Sequence, residues 1–224
     1  MITINPSDRL ACRIAGFCYL ATFVIVVYTN FGIYNKLSVP GDFAQTTQNI
    51  IGNPSLFRFG VVMDILYGIG FVTMTAMLYK VFNPMNQNLG LLAICWQLMY
   101  AAVWIVVTIQ VLEVFRAMNK NNIQDLAYLE SSVKSFLNSR NQRYYGGLPF
   151  YAMGTTAFSY LMLKSGIVNR WLAMVSVLSC LWCLVCAVLH FAIPGFSGIV
   201  NLWAYDVPMA LSQIVISVWL IIKI

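Results

Sequence analysis

Residues 59–79 read FGVVMDILYGIGFVTMTAMLY, and Asp64 carries the only charge in this run. A helix needs about 20 predominantly apolar residues to cross the roughly 30 Å of hydrocarbon in a bilayer. The run therefore predicts a membrane-spanning helix. It also places an ionisable side chain inside the span, where such groups are expensive and commonly functional.

The composition extends this prediction to the whole chain, because 60% of the residues are hydrophobic and only 9% are charged. An ordinary soluble domain has about 25% charged residues. A closed β-barrel would instead show alternating segments of about ten residues. We predict an all-α polytopic membrane protein, a six-transmembrane-helix bundle forming one integral membrane domain over residues 1–224. The predicted spans are residues 14–35, 59–79, 89–112, 144–163, 171–193 and 199–222.

Two connections between the spans are long enough to form structure of their own. Between residues 36 and 57, the segment from Asp42 to Ile51 predicts a short helix. Between residues 121 and 139, apolar side chains recur every three to four residues, which predicts an amphipathic helix on the outer surface or capping the bundle. The apolar positions of that second segment are Ile123, Leu126, Leu129, Val133 and Phe136.

The distribution of Lys and Arg predicts the orientation in the membrane, because positive charge in short loops favours the cytoplasmic side. If both ends of the chain are cytoplasmic, the short inner loops hold basic residues and most other basic residues lie in one long outer connection. The inner basic residues are Arg9, Arg13, Lys80, Lys164, Arg170 and Lys223. The first span is longer than a signal-peptide core, so we expect a retained signal-anchor helix.

The net charge of +6 is spread along the chain, with no clustered basic tail. Such a charge fits contact with anionic lipid head groups. We therefore expect the lipid bilayer as a partner and no nucleic acid.

Three segments resemble a bacterial multi-pass membrane protein family, the domain of unknown function 4386. They are ACRIAG at 11–16, LKSGIVNRWL at 163–172, and VPMALSQ at 207–213 followed by VWLIIK at 218–223. The resemblance covers nearly the full length and implies a six-helix bacterial inner-membrane protein with no established activity. Similar proteins carry an Arg near Gln97 and a Glu near Gln213, whereas this chain has two amides.

Polar residues recur on one face of three predicted spans at 100° per residue. Such stripes are expected to face the bundle interior, because lipid offers no hydrogen-bond partner. On the predicted topology the ionisable groups lie in the outer half of the membrane. The candidate polar pocket consists of Asp64, Tyr67, Glu113, His190, Asp206 and Gln213. Which of them, if any, is catalytic is left open.

Each acid has alternative explanations that the sequence leaves open. Asp64 is protonated, paired with Arg58 or Arg116, or exposed to water inside the bundle. Asp206 is either functional or the N-cap of the sixth helix, with a proline in the first turn. Glu113 is expected at the membrane interface, stabilised by Arg116 or by solvent.

We expect no metal and no cofactor. His190 is the only histidine, and zinc and haem sites need several ligands. All six cysteines lie in apolar runs, where thiols behave as small hydrophobic groups. Phosphate-binding loops, zinc-protease motifs and nucleophile elbows are lacking in the sequence.

Three functions remain open. The first, which we favour, is a non-enzymatic membrane protein whose outward-facing polar pocket binds a small amphipathic or lipid-like ligand. The second is an intramembrane enzyme acting on an isoprenoid or lipid, with a protonated Asp64 or Asp206 as general acid. The third is a small proton- or ion-coupled transporter that uses the same carboxylates, although the sequence shows no internal repeat.

Overall fold

A computed structural model describes residues 5–119 and 126–224 of the chain. In this part of the chain every named element is helical. Helix α1 passes directly into a π-helix and then into the short helix α2. The elements are α1 (Pro6–Val27), the π-helix (Tyr28–Tyr34), α2 (Asn35–Leu37), α3 (Phe43–Gly52), α4 (Pro54–Phe82), α5 (Gln87–Asn119), α6 (Leu126–Ser165), α7 (Arg170–Ala192), α8 (Phe196–Ile199) and α9 (Leu202–Ile222).

Among the described residues, five helical segments are long and apolar enough to cross a membrane, which makes this a multi-pass membrane protein. They are Pro6–Leu37, Pro54–Phe82, Gln87–Met118, Arg170–Ala192 and Leu202–Ile222. Many large apolar side chains on these helices are exposed, among them Ile69 and Leu178. Contiguous apolar surface of this kind is rare on soluble monomers and suits contact with lipid.

Helix α6 differs from its prediction in where it begins. We expected an amphipathic helix over 121–139 and a separate span over 144–163, whereas one continuous helix runs through Leu126–Ser165. Residues 121–125, including Ile123 of the predicted apolar stripe, lie outside the described residues. Helix α6 contains the predicted fourth span but is not among the five candidate spans.

Asx caps set the start of five helices, among them α1 with Asn5 and α5 with Asn86. The side chain of Asp42 accepts from the backbone N–H of Gln45, which confirms the short helix predicted there. Asn169 and Asn201 cap α7 and α9 in the same way. Asp206 therefore lies inside α9, and the alternative that it is the N-cap is wrong. The N-cap is Asn201, five residues before Asp206, and its side chain accepts from the backbone N–H of Trp203.

Proline inside α9 is compensated by a neighbouring helix. Pro208 has no N–H, so the carbonyl of Ala204 loses its donor four residues along. The indole Nε1 of Trp182, on α7, donates to that carbonyl at 3.4 Å. A backbone group freed inside a membrane needs such a replacement, because lipid cannot supply one.

The chain divides into two compact units. The first unit comprises the described residues of Met1–Leu20, Gly70–Ala101 and Tyr145–Ile224, and the second those of Ala21–Ile69 and Ala102–Tyr144. Four helices, α1, α4, α5 and α6, contribute residues to both units. The single domain expected over residues 1–224 stays a prediction.

The core of the second unit is built from aromatic and branched side chains of the π-helix, α3, α4, α5 and α6. Phe57 packs edge-on against Phe136 at 5.9 Å between ring centroids. The stripe predicted on α6 supplies Leu129, Val133 and Phe136 to this core, whereas Leu126 is exposed. One face of α6 is therefore buried in the core of the unit that contains Asp64.

The first unit is held together by small residues that permit close helix approach. A Cβ added to Gly16 on α1 would lie 2.6 Å from the backbone oxygen of Ser217 on α9. On α7, Ala173, Ser176 and Cys180 are fully buried. Small residues at such positions are typical of helix packing in membranes, where backbones approach closely.

Candidate functional site

Asp64 lies at the centre of a buried charged cluster in the second unit. Its side chain is 6% exposed and accepts a hydrogen bond from the Tyr34 hydroxyl at Oδ2, at 3.0 Å. The other oxygen, Oδ1, lies 3.5 Å from Nη2 of Arg140 and 3.6 Å from Nη2 of Arg143. The expectation that Asp64 is ion-paired is met, but its partners are Arg140 and Arg143 and not Arg58 or Arg116.

The two arginines are buried with their guanidinium groups on aromatic rings. Arg140 is 7% exposed and its Cζ lies 3.6 Å from the centre of the Tyr34 ring. Arg143 is 6% exposed and its Cζ lies 3.5 Å from the centre of the Trp104 ring. Tyr67 stacks on the same Trp104 ring, with 4.0 Å between the ring centroids. The cluster therefore consists of one carboxylate, two guanidinium groups and an aromatic surround.

These charges do not balance. A guanidinium group stays protonated in proteins, so two arginines facing one carboxylate leave an excess of one positive charge. Burying an ion costs several kcal/mol even after relaxation. A cation–π contact returns only about 2 kcal/mol when it is desolvated. The rings of Tyr34 and Trp104 therefore offset part of the cost and leave the site electropositive.

Several polar atoms of the cluster lack a hydrogen bond. Arg140 donates from Nη1 to Oδ1 of Asn30 at 2.7 Å. Its Nε and Nη2, and Oδ1 of Asp64, are buried and have no hydrogen-bond partner among the described residues. Charge-assisted hydrogen bonds are about 2.7–2.9 Å long, so separations of 3.5 Å mark loose ion pairs. Buried groups left in this condition need an explanation, such as strain, a function, or a bound water, ion or ligand.

The local fold explains how the cluster forms. Asn30 and Tyr34 both lie on the π-helix, one turn apart, so their side chains reach the same arginine. Arg140 and Arg143 are three residues apart on α6 and therefore share a face. π-Helical segments inside longer helices are rare and occur frequently at functional sites. The irregular helix and the unbalanced charge thus coincide in one place.

Glu113 also belongs to the second unit, but it is not part of this cluster. It is exposed, forms an ion pair with Arg116 and accepts a hydrogen bond from Tyr128 at 3.3 Å. This confirms the expectation that Arg116 stabilises it. Arg58 lies over the ring of Phe115 at 5.5 Å. Asp64 and Tyr67 are therefore brought together by the second unit, and Glu113 is bonded elsewhere.

The remaining predicted residues, His190, Asp206 and Gln213, belong to the first unit. His190 is half-buried and stacks on Tyr145 at 4.4 Å with nearly parallel rings. Asp206 is half-buried on α9. A pocket shared by all six predicted residues stays a prediction.

Gln213 is the centre of a neutral polar network in the first unit. Its Nε2 donates to Oγ of Ser176 at 2.9 Å and to Oγ of Ser159 at 3.3 Å. Ser212 and Ser179 continue the network with a hydroxyl–hydroxyl distance of 3.1 Å. All of these side chains are buried, and hydroxyl and amide groups satisfy one another without any charge.

A small cavity lies beside this network in the first unit. Its volume is about 20 Å³, which is room for one water molecule. Gln97 and Gln213 both line it, together with Thr155 and Ser217. The cavity is too small for an amphipathic ligand.

Metal binding and cysteine chemistry receive no support from the geometry. Among the described residues, no group of three or more His, Cys, Asp or Glu side chains is placed to hold a metal ion. Cys180, Cys183 and Cys186 are buried as free thiols.

Five residues of the cluster are not among the predicted site residues: Asn30, Tyr34, Trp104, Arg140 and Arg143. In the predicted topology both arginines fall in the long outer connection. One pattern points to the arginines, because they continue the apolar stripe of α6 at spacings of four and three residues. That stripe runs Leu129, Val133, Phe136, Arg140 and Arg143. Its continuation places both arginines on the buried face of the helix.

Comparison with known proteins identifies the family. The sequence model of the domain of unknown function DUF4386 matches residues 14–223, so the chain belongs to this family. No curated protein and no solved structure gives a significant match.

Proposed function

We propose that this DUF4386 family member is a non-enzymatic membrane protein that binds a small amphipathic or lipid-like ligand at a polar pocket around Asp64. The observation that supports this function is the buried cluster of Asp64, Arg140 and Arg143, with hydrogen-bonding groups left over. A binding site needs a few convergent polar groups in an otherwise apolar surround. The exposed apolar faces of the same helices give an amphipathic ligand a route from the bilayer.

The proposal includes a topology of six spans in the bacterial inner membrane, with both ends of the chain cytoplasmic. The span added to the five candidates is the later part of α6, residues 144–163, which is the fourth span in chain order. The earlier part of α6 is the amphipathic helix on the outer side. Asp64 then lies in the outer half of the bilayer, and the pocket faces outward. Reporter fusions after residues 84 and 166, both in inner connections, test this topology. Cytoplasmic signal from both supports it, and periplasmic signal from either contradicts it.

The binding proposal is tested by the lipids that accompany the purified protein. Wild-type chain, Asp64→Asn and Glu113→Gln are purified in neutral detergent from the same membranes, and bound amphiphiles are identified by mass spectrometry. We expect one class of amphiphile to be enriched over the bulk membrane at about one molecule per chain. Asp64→Asn changes the class or the amount of the bound amphiphile, whereas Glu113→Gln, which changes an acid outside the cluster, changes neither. Lipid compositions that match the bulk membrane in all three samples contradict the proposal.

A coupled transporter is the second candidate, and one observation favours it. The first helical segment changes from α-helix to π-helix at Tyr28 and back to α-helix after Tyr34. The π-helical part carries Asn30 and Tyr34, which both contact Arg140. Interrupted helices beside buried charges are typical of secondary transporters. Flux of protons or ions into proteoliposomes that is lost in Asp64→Asn supports this candidate. Liposomes that stay impermeable with the wild-type chain exclude it.

A further inference from the structure

The structure assigns the free edge of the Arg140 guanidinium group as the binding site for an oxyanion, the carboxylate or phosphate head group of the ligand. This inference rests on the proposed function and narrows its ligand to anionic amphiphiles. It goes beyond that function because a polar pocket by itself admits neutral and cationic head groups as well.

The unbonded atoms of Arg140 are the ones that an oxyanion binding through two oxygens needs. Nη1 is used by Asn30, and Nε and Nη2 are the two atoms without a hydrogen-bond partner. These two nitrogens lie along one edge of the planar group and direct their N–H bonds in parallel. Two oxygens of a carboxylate or phosphate accept from such an edge together.

The charge of the cluster favours the same ligand. Asp64 neutralises one of the two guanidinium groups, so an added anion brings the cluster to neutrality. A cationic head group would increase the excess positive charge, and a neutral head group would leave it unchanged. Nη2 of Arg140 already lies 3.5 Å from Oδ1 of Asp64, so the bound anion shares this nitrogen with the carboxylate, whereas Nε is available to the anion alone.

The aromatic surround fixes the orientation of the donors. The Cζ of Arg140 lies 3.6 Å from the centre of the Tyr34 ring, and the hydroxyl of that ring donates a hydrogen bond to Asp64. The bonds to Asn30 and the ring together restrict rotation of the guanidinium group. Because the free edge is buried, a ligand reaches it only after local movement of neighbouring side chains.

The test uses the full chain in nanodiscs of neutral phosphatidylcholine and four single-chain probes. They are oleate, oleoyl lysophosphatidate, the neutral monoolein and the cationic oleylamine. We expect oleate or lysophosphatidate to bind with at least 10-fold higher affinity than the other two. The stronger of the two anions shows whether the natural head group is a carboxylate or a phosphate.

Variants then locate the binding. Arg140→Gln is expected to weaken binding of the anionic probe at least 10-fold, and Arg140→Lys, which keeps the charge but not the parallel donors, about 5-fold or more. Arg58→Gln is the matched control, since this exposed arginine lies in the same unit on a different aromatic ring. Its affinity is expected to stay within 2-fold of the wild type. Size-exclusion profiles and thermal unfolding of each variant identify any that misfolds, and Arg140→Lys then decides the outcome.

Three results overturn the inference. Equal affinity for monoolein and oleate, lost in Asp64→Asn, leaves the proposed function standing and removes the anion specificity. Anion binding that is equally sensitive to Arg58→Gln and Arg140→Lys places the anion at the surface. Absence of binding by all four probes contradicts the inference and the proposed function together.

Discussion

The two units of this protein solve the same problem, buried polar side chains inside apolar helices, in different ways. In the first unit, Gln213, Ser159 and Ser176 bond with one another, and the network is neutral. In the second unit, Arg140 keeps two unbonded nitrogens and the cluster has an excess positive charge. A satisfied neutral network is explained by packing alone. An unbalanced charged cluster needs a further explanation, and this contrast is why we place the function in the second unit.

The largest expected effect comes from breaking the charged cluster. Asp64→Asn leaves two buried guanidinium groups without a carboxylate, and removing one partner of a buried ion pair destabilises by about 3–5 kcal/mol. The free energy of unfolding in micelles of a neutral detergent measures this loss. A change below about 1 kcal/mol contradicts the view that Asp64 neutralises the cluster.

Tyr34→Phe is expected to have the next largest effect. It removes the hydrogen bond to Asp64 and keeps a ring beneath Arg140, so it isolates one hydrogen bond to a charged group. Such bonds contribute about 1.5–3 kcal/mol. The same unfolding measurement checks the value, and a loss equal to that of Asp64→Asn would show that ring packing was disturbed as well.

Ser176→Ala tests the neutral network of the first unit. Oγ of Ser176 bonds to Ser159, Ser212 and Gln213, so the substitution removes three neutral hydrogen bonds. Each of these partners keeps another bond, so we expect a loss of about 1–2 kcal/mol. We also expect unchanged affinity for the anionic probes, because the substitution lies in the first unit. If Ser176→Ala weakens probe binding as much as Arg140→Gln, the functional contrast between the units is wrong.

Glu113→Gln gives the smallest expected effect. Glu113 and Arg116 form an exposed ion pair, and such pairs contribute about 0.2–1 kcal/mol. Glu113→Gln and Asp64→Asn each remove a carboxylate from the second unit. The first carboxylate is exposed and the second is buried. Similar losses of unfolding free energy from both substitutions contradict the assigned burial of Asp64.

Much of the fold follows from the sequence because its causes are local. Apolar runs of spanning length predicted where the long helices lie. On the second predicted span the polar face at 100° per residue comprises Asp64, Tyr67, Gly68, Phe71 and Thr75. All of these are buried on α4 except Gly68, which is half-buried. An asparagine or aspartate before an apolar run predicts a helix start, as Asp42 shows.

The partners within the site did not follow from the sequence, because they depend on distant contacts. Arg140 lies 76 positions from Asp64 along the chain, and counting charges by loop assigned it to the outer connection. The start of α6 was misplaced for the same reason, since charged residues were taken to end a helix that continues through them. Charged residues that continue an apolar stripe lie on the buried face of the helix in this protein, as Arg140 and Arg143 show.

The bond from Trp182 to the carbonyl of Ala204 bears on how the chain enters the membrane. While α9 is alone in lipid, that carbonyl is unbonded, because Pro208 supplies no donor. Packing of α7 alongside supplies the indole donor and offsets part of the energetic cost. We therefore expect the two helices to leave the insertion machinery together as a preassembled hairpin.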